Sequence, residues 1–338
     1  MDTPTFGAII KEQDPRDYPL TKLGTDIPSS LIPKEYKPDY SKVPVVNQRK
    51  QPACGSHAGS TLEGVLSLNK QESTISNSPR FLWKEIKDID GNPIEAGTDI
   101  NSIFKVLKDK GVCDDSLAPN NTNLSLEDYC HLKTTTEMYE SATSRKIQSY
   151  AITYSPTFEQ IKESIYKTGA VLILYRCGKN MYIPSWKAKD ILPLSPDKYP
   201  MDSGHFVVGI GYDKDYIFFR NSWGNDWGLN GDGYFGEDYV KYINAIGTAV
   251  DKDKIDWSHT FTHIMTYGEK NNEVVYLQRY LKALGLFNQE PTAYYGDITA
   301  KAVYDFQVGN KVAPLDELDA LKGKRVGLKT IARLNQFK

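Results

Sequence analysis

Cysteine is scarce in this chain: Cys54, Cys113, Cys130 and Cys177 are the four in 338 residues. That excludes a small fold stapled by disulfides. A bridge between Cys113 and Cys130 stays open beside the reading of single buried thiols. Charge of one sign is also missing. Lys and Arg number 41 against 43 Asp and Glu, a net of −2, so no global field argues for nucleic acid or a membrane surface. No stretch approaches 18 apolar residues, so no transmembrane helix is expected. The opening Met1-Asp2-Thr3-Pro4 lacks the basic and apolar regions of a signal peptide. Cys54 and His57 have the spacing that opens some zinc sites, but no second pair follows. We therefore expect no metal and no organic cofactor.

What is present is the balance of an ordinary soluble globular protein, 40% apolar and 25% charged, in a chain long enough for two domains. The first 26 residues are polar and turn-rich, with Asp14-Pro15-Arg16-Asp17-Tyr18, and read as an irregular extension on the domain surface. Extended, proline-punctuated chain follows at Pro28, Pro33, Pro38 and Pro44. Ala58, Leu62, Val65 and Leu66 recur at helical spacing and predict a helix from about Cys54. Further helices are predicted over Ile100–Lys110, stopped by Gly111, and over Thr157–Thr168. The texture then changes to strands: 170–175, 206–210, 216–220 and 233–235, separated by Gly and Asp turns. Helices first and strands after read as α+β. Residues 251–270 are charged and irregular and read as a linker. Beyond it, Val274, Val275, Leu277, Leu281 and Leu284 keep a helical period closed by Gly285. Shorter helices are predicted over 299–307 and 327–335. Tyr295-Gly296-Asp297-Ile298-Thr299 and Val326-Gly327-Leu328-Lys329-Thr330 look like one helix-start motif used twice.

The residues that carry chemistry lie far apart in sequence. Asn221-Ser222-Trp223-Gly224-Asn225-Asp226-Trp227-Gly228 follows Ser203-Gly204-His205-Phe206. His205 stands 151 residues after Cys54, and Asn221 another 16 on. A thiol, an imidazole, an orienting amide and an amide donor, in the order Gln48, Cys54, His205, Asn221, are what a cysteine hydrolase needs. Cys54 falls where extended chain turns into a helix, so the helix end should depress its pKa.

That order and the Asn-Ser-Trp-Gly motif resemble papain-like (C1-type) cysteine peptidases. The resemblance implies a two-lobe fold, a helical lobe plus a β-barrel lobe, over 27–250, with the active site in the cleft between. Two registers compete at the nucleophile. Cys54-Gly55-Ser56-His57 looks like the family's Cys-Gly-Ser-Cys, which would put His57 at the nucleophile position and make the chain inactive. In the family the oxyanion glutamine lies six residues before the nucleophile, and Gln48 lies six before Cys54 and nine before His57. We adopt Cys54 as nucleophile, His205 as base, Asn221 as its orienter and Gln48 as oxyanion donor. Trp223 and Trp227 would shield the triad. His57 is left as a cleft-wall or core residue. Gly55 replaces the family's usual Trp and leaves that wall open or filled by another residue. Arg49 stands where a glycine usually follows the glutamine. Gly97-Thr98-Asp99-Ile100 and Gly204-His205 are similar to bacterial members, which marks Gly97 and Gly204 as possible cleft positions.

The tail, 271–338, resembles the small all-α peptidoglycan-binding domain of bacterial and phage wall hydrolases. The match rests on Leu277-Gln278-Arg279-Tyr280-Leu281, Gly285, Tyr295 to Thr299, Ala302-Val303, Phe306-Gln307 and Leu334-Asn335. Residues 269–338 carry a balance of +3, which suits an anionic wall polymer. The expectation is a cysteine endopeptidase, secreted or phage-borne, held at the cell wall and acting on protein or peptide. The alternatives are a lysin of peptidoglycan stem peptides and an inactive wall-binding protein. Residues 1–26 either cross the cleft or pack on the back of the domain, the latter being preferred.

Overall fold

The structure, a computed structural model, describes residues 5–13, 32–68, 75–91, 97–178, 181, 200–251, 259–284, 286–287, 289 and 291–337. The Asp14–Tyr18 run, Pro28, Gly285 and residues 252–258 of the expected linker lie outside these. The chain divides into two compact units, 1–252 and 253–338.

The first unit opens with helices α1 (Cys54–Leu68), α2 (Pro79–Asp90), α3 (Ile100–Asp109), α4 (Leu126–Cys130) and α5 (Thr136–Thr143). Strand β1 (Ile147–Tyr154) and helix α6 (Phe158–Thr168) follow. Then come β2 (Val171–Cys177), β3 (Ser203–Tyr212), β4 (Tyr216–Arg220), β5 (Asp232–Gly236) and β6 (Ile243–Asp251). Local chemistry sets several boundaries. Ser78 caps α2 by accepting from Phe81 N–H, Pro79 supplies a pre-set φ, and Gly91 ends the helix in the left-handed region. Asp99 caps α3 through Ser102 N–H. Thr157 and Gln160 form a capping box on α6.

The strands form one antiparallel sheet in the order β1-β6-β2-β3-β4-β5. Alternating side chains divide its two faces. Leu172, Phe206 and Val208 pack with Leu62, Val65 and Leu66 of α1. Val171, Ile173, Val207 and Phe219 pack with Ile161 and Ile165 of α6. Burying each such side chain contributes roughly 1.5–3 kcal/mol. The sheet thus holds α1 against β3, and those two elements carry Cys54 and His205. All four cysteines are buried and free, Cys113 and Cys130 included.

The second unit contains β7 (Met265–Thr266), α7 (Asn272–Ala283), α8 (Asp297–Gly309), α9 (Leu315–Leu321), β8 (Arg325–Val326) and α10 (Leu328–Leu334). The twice-used sequence motif has a shared role here. Gln278 Nε2 donates to the Tyr294 carbonyl at 3.0 Å and to Thr299 Oγ1 at 2.9 Å. Gln307 Nε2 donates to the Arg325 carbonyl and Thr330 Oγ1, each at 2.9 Å. Gln278 thus ties α7 to the start of α8, and Gln307 ties α8 to the start of α10.

Candidate active site

Cys54 is the first residue of α1 and has no exposed surface. The turn before it is pinned: Gln51 N–H donates to the Gln48 carbonyl, and Gln51 Nε2 donates to the Thr122 and Leu124 carbonyls. The expected low thiol pKa is not what this state has. Burial pushes Cys54 up to about 12, against the pull of backbone N–H groups of Phe206, Gly7 and Gly55 and its own. Removing water costs the thiolate more than the helix end returns. The Phe206 ring, next in sequence to His205, packs at the start of α1, where a Cβ at Gly55 would fall 3.4 Å from its Cδ2.

His205 is equally buried, and burial pushes its pKa down to about 4 despite the Asn221 hydrogen bond. Its Nε2 lies 2.8 Å from Asn221 Oδ1. An amide oxygen only accepts, so Nε2 carries the proton and Nδ1 is the basic nitrogen. Nδ1 is buried with no hydrogen-bond partner. Asn221 Oδ1 also accepts from Ser222 N–H at 2.8 Å, which fixes the amide's orientation. The Trp223 ring lies 5.1 Å from the imidazole, and Trp227 packs edge-on against Trp223 at 5.9 Å. Gln48 is held by the same motif: Ser222 Oγ donates to its Oε1 at 2.6 Å, and its own N–H donates to the Ser222 carbonyl. That leaves Nε2 as its donor face. Sequence reasoning missed Ser222, although it sits inside the motif that drew attention to Asn221.

His57 belongs to a different network. Its Nδ1 donates to the Ala53 carbonyl at 2.8 Å, and its Nε2 accepts from Asn120 Nδ2 at 3.2 Å. Asn120 Oδ1 accepts from Tyr129 at 2.7 Å. Both ring nitrogens are committed and the residue is fully buried. Of the two roles left open for it, cleft wall and core, this geometry fits the core.

Gly55 leaves no open wall. A Cβ there would fall 2.4 Å from Thr98 Cγ2 and 2.9 Å from Ile103 Cδ1, so those side chains fill the space. Gly97 and Gly204 flank an extended segment that comes from the N-terminus. Thr98 N–H donates to the Gly7 carbonyl (3.0 Å), Ile9 N–H to the Thr98 carbonyl (2.8 Å), and Ala8 N–H to the Gly204 carbonyl (3.2 Å). Gln48 Nε2 donates to the Thr5 carbonyl at 2.8 Å. Residues 5–9 of the extension therefore pass between Gln48, Thr98 and Gly204 rather than over the back of the domain. Lys87 was not singled out in the sequence either. It is buried on α2, donates to the Gly97 carbonyl at 2.5 Å, pairs with Asp90 at 2.9 Å, and so holds the Gly97–Thr98 edge in place.

Residues 32–246 match the papain family of cysteine proteases, and residues 270–314 match a putative peptidoglycan binding domain. No curated protein matches the chain. Among solved structures, the fold is similar to xylellain, a cysteine protease from Xylella fastidiosa. That pair is 20% identical with a TM-score of 0.63, covering 73% of this chain and 96% of the other. It is also similar to the Carica candamarcensis cysteine protease CMS1MS2 in complex with E-64, at 15% identity, TM-score 0.51, and 65% and 99% coverage. Digestive procathepsin L 3 of Tenebrio molitor larval midgut matches at 18% identity, TM-score 0.50, and 65% and 70% coverage. At these identities the likeness concerns the fold, whereas the family match spans well over half of the sequence. With a thiol at a helix start and an Asn-oriented imidazole on the facing strand, the chain belongs to the papain family of cysteine proteases and carries a C-terminal peptidoglycan-binding domain.

Proposed function

We propose that this protease is an endopeptidase working through Cys54, His205 and Asn221, with Gln48 as oxyanion donor, and that its C-terminal domain brings it to bacterial cell wall. The observation that carries the assignment is the difference in proton placement on the two histidines. His205 Nδ1 is an unpartnered base, while both nitrogens of His57 are used. A reading of the chain as inactive through the His57 register gains no support from that network.

The chemistry is acyl transfer. His205 Nδ1 takes the Cys54 thiol proton, and the thiolate attacks the scissile carbonyl carbon. The oxyanion is met by Gln48 Nε2 and by the Cys54 N–H, which at the first turn of a helix has no intrahelical acceptor. Imidazolium then protonates the leaving amine as the C–N bond breaks, giving a thioester and a free amine. His205 next deprotonates water, the hydroxide displaces the thiol, and the acid leaves. The tail domain contributes proximity rather than chemistry, by raising the local concentration of wall-bound substrate.

Protein substrate and peptidoglycan stem peptide differ in one experiment. Incubating the enzyme and its Cys54→Ala form with casein and with purified sacculi is expected to give Cys54-dependent casein fragments and sacculus binding. Soluble stem peptides without casein turnover would replace this reading with the lytic one. No Cys54-dependent cleavage of either, in a chain whose thiol is accessible, would end it.

A further inference from the structure

We infer that the groove between α8, the end of α9 and the turn into β8 holds the stem peptide of peptidoglycan by its free carboxylates, through Lys322 and Lys324. This rests on the wall-targeting reading above and names the part of the polymer that the second unit grips.

The groove has a volume of about 370 Å³ and is lined by Asp297, Lys301 and Tyr304 of α8 and by Asp319, Lys322 and Lys324. Sites for small ligands span about 300–1,000 Å³. Backbone packing builds it. Lys322 ends α9 in the left-handed region at φ +44°, and Gly323 follows at φ +69°. A Cβ at Gly323 would fall 1.9 Å from the Ala300 carbonyl oxygen and 2.5 Å from the Tyr304 nitrogen, so glycine lets this turn lie directly on α8. The Tyr295 hydroxyl donates to the Gly323 carbonyl at 2.6 Å. Lys324 N–H donates to the Leu321 carbonyl and Tyr267 N–H to the Lys324 carbonyl, each at 2.9 Å. Both lysines thus leave a main chain that is already fixed, which lowers the ordering cost of binding.

The charges in the groove are unequally satisfied. Asp297 accepts from the Tyr267 hydroxyl at 2.9 Å, and Asp319 accepts from the Tyr304 hydroxyl. Lys301 pairs with Asp305 at 2.7 Å. Lys322 and Lys324 have no carboxylate partner among the described residues, and Lys324 Nζ stands 5.0 Å over the centroid of the Tyr267 ring. Two exposed ammonium groups without an anion call for a ligand oxygen that carries charge. In peptidoglycan the strand of N-acetylated sugars is neutral, and the stem peptides bear the free carboxylates. Tyr267, Asp319, Lys322 and Lys324 fall outside residues 270–314, which match the peptidoglycan binding domain, so the groove is a product of this chain's own packing.

The test is sedimentation of the full chain with teichoic-acid-free sacculi, for the wild type, Lys322→Ala/Lys324→Ala and a control, Lys311→Ala/Lys329→Ala. The control removes the same charge outside the groove, and all four side chains are exposed, so no core contact is lost. The Kd of the groove variant is expected to rise at least about tenfold, with the control close to the wild type. A soluble stem tetrapeptide should displace the wild type, and the same peptide with its carboxylates amidated should not. Sacculi stripped of their stems by an amidase should bind the wild type and the groove variant alike, and weakly. Unchanged binding by the groove variant, an equal loss in the control, full binding to stripped glycan, or displacement by teichoic acid but not by stem peptide would each overturn the groove and leave wall targeting in place. A wild type that fails to sediment with sacculi yet binds the tetrapeptide through Lys322 and Lys324 would uphold the groove and remove wall targeting.

Discussion

The first unit contains two histidine–asparagine pairs that look alike in a list of residues and differ in everything that matters to chemistry. His57 sits on α1 with Asn120, and His205 sits on β3 with Asn221. Both imidazoles are fully buried, and burial pushes both down to about 4. At His57 the asparagine is a donor, and the Ala53 carbonyl takes the ring's only proton. At His205 the asparagine is the acceptor, so the proton is held on Nε2 and Nδ1 keeps its lone pair. Which way an amide faces thus separates a packing histidine from a base. Neighbouring donors decide that orientation: Ser222 N–H holds Asn221 Oδ1 inward, and the Tyr129 hydroxyl holds Asn120 Oδ1 away from His57.

Mutation should break the likeness most strongly at His205. His205→Ala is expected to lower kcat by about 10⁴-fold, read by peptide hydrolysis. Gln48→Ala should cost about 10²–10³-fold in kcat, because one oxyanion donor is lost. His57→Leu should instead leave kcat/KM unchanged and lower stability. It leaves the half-buried Asn120 Nδ2 without its His57 acceptor, at roughly 1 kcal/mol, while the Ala53 carbonyl keeps Ser56 Oγ and the residue 57 N–H as donors. A loss of turnover without a loss of melting temperature in that variant would undo the contrast.

The pH dependence sharpens the comparison. Burial holds each histidine at about 4, below the ordinary imidazole value of 6.5. The unfolded chain therefore binds more protons between those values. Each histidine's contribution is present above pH 6.5 and fades as pH falls towards 4, by on the order of 3 kcal/mol. Denaturant midpoints of the wild type should fall across that window. The smallest effect belongs to Lys11→Ala. Its side chain is 61% exposed, and such a pair contributes about 0–1 kcal/mol to stability, read as a shift in denaturant midpoint.

Much of the frame was legible in the chain. Helical spacing from Cys54, the Ile100–Lys110 pattern and the Thr157 start each correspond to an observed helix within a residue or two. The strands β2 to β5 lie where apolar runs are cut by Gly and Asp. Strands β1 and β6 were not read, because Ile147–Tyr154 and Ile243–Asp251 mix polar residues among apolar ones. Their identity as strands comes from pairing with each other and with β2. Helix α2 was missed as well, although its Ser78-Pro79 start and Gly91 stop are local signals. Lys87 on that helix reaches Gly97 only through the folded loop, so no spacing rule would have paired them.

The sequence by itself determined the residue types, their order and the local geometry around them: a thiol at a helix start, an imidazole on an apolar strand, a capped α3, and glycines where the backbone runs close. Those are set by short-range sterics, capping and periodicity, which act within a few residues. Only the tertiary structure decided which histidine keeps a free lone pair, which amide faces it, and that Cys54 and His205 rest neutral beneath residues 5–11. Proton placement and solvent exclusion depend on groups brought together from distant parts of the chain, and burial can reverse the pKa shift that the local helix end alone would produce.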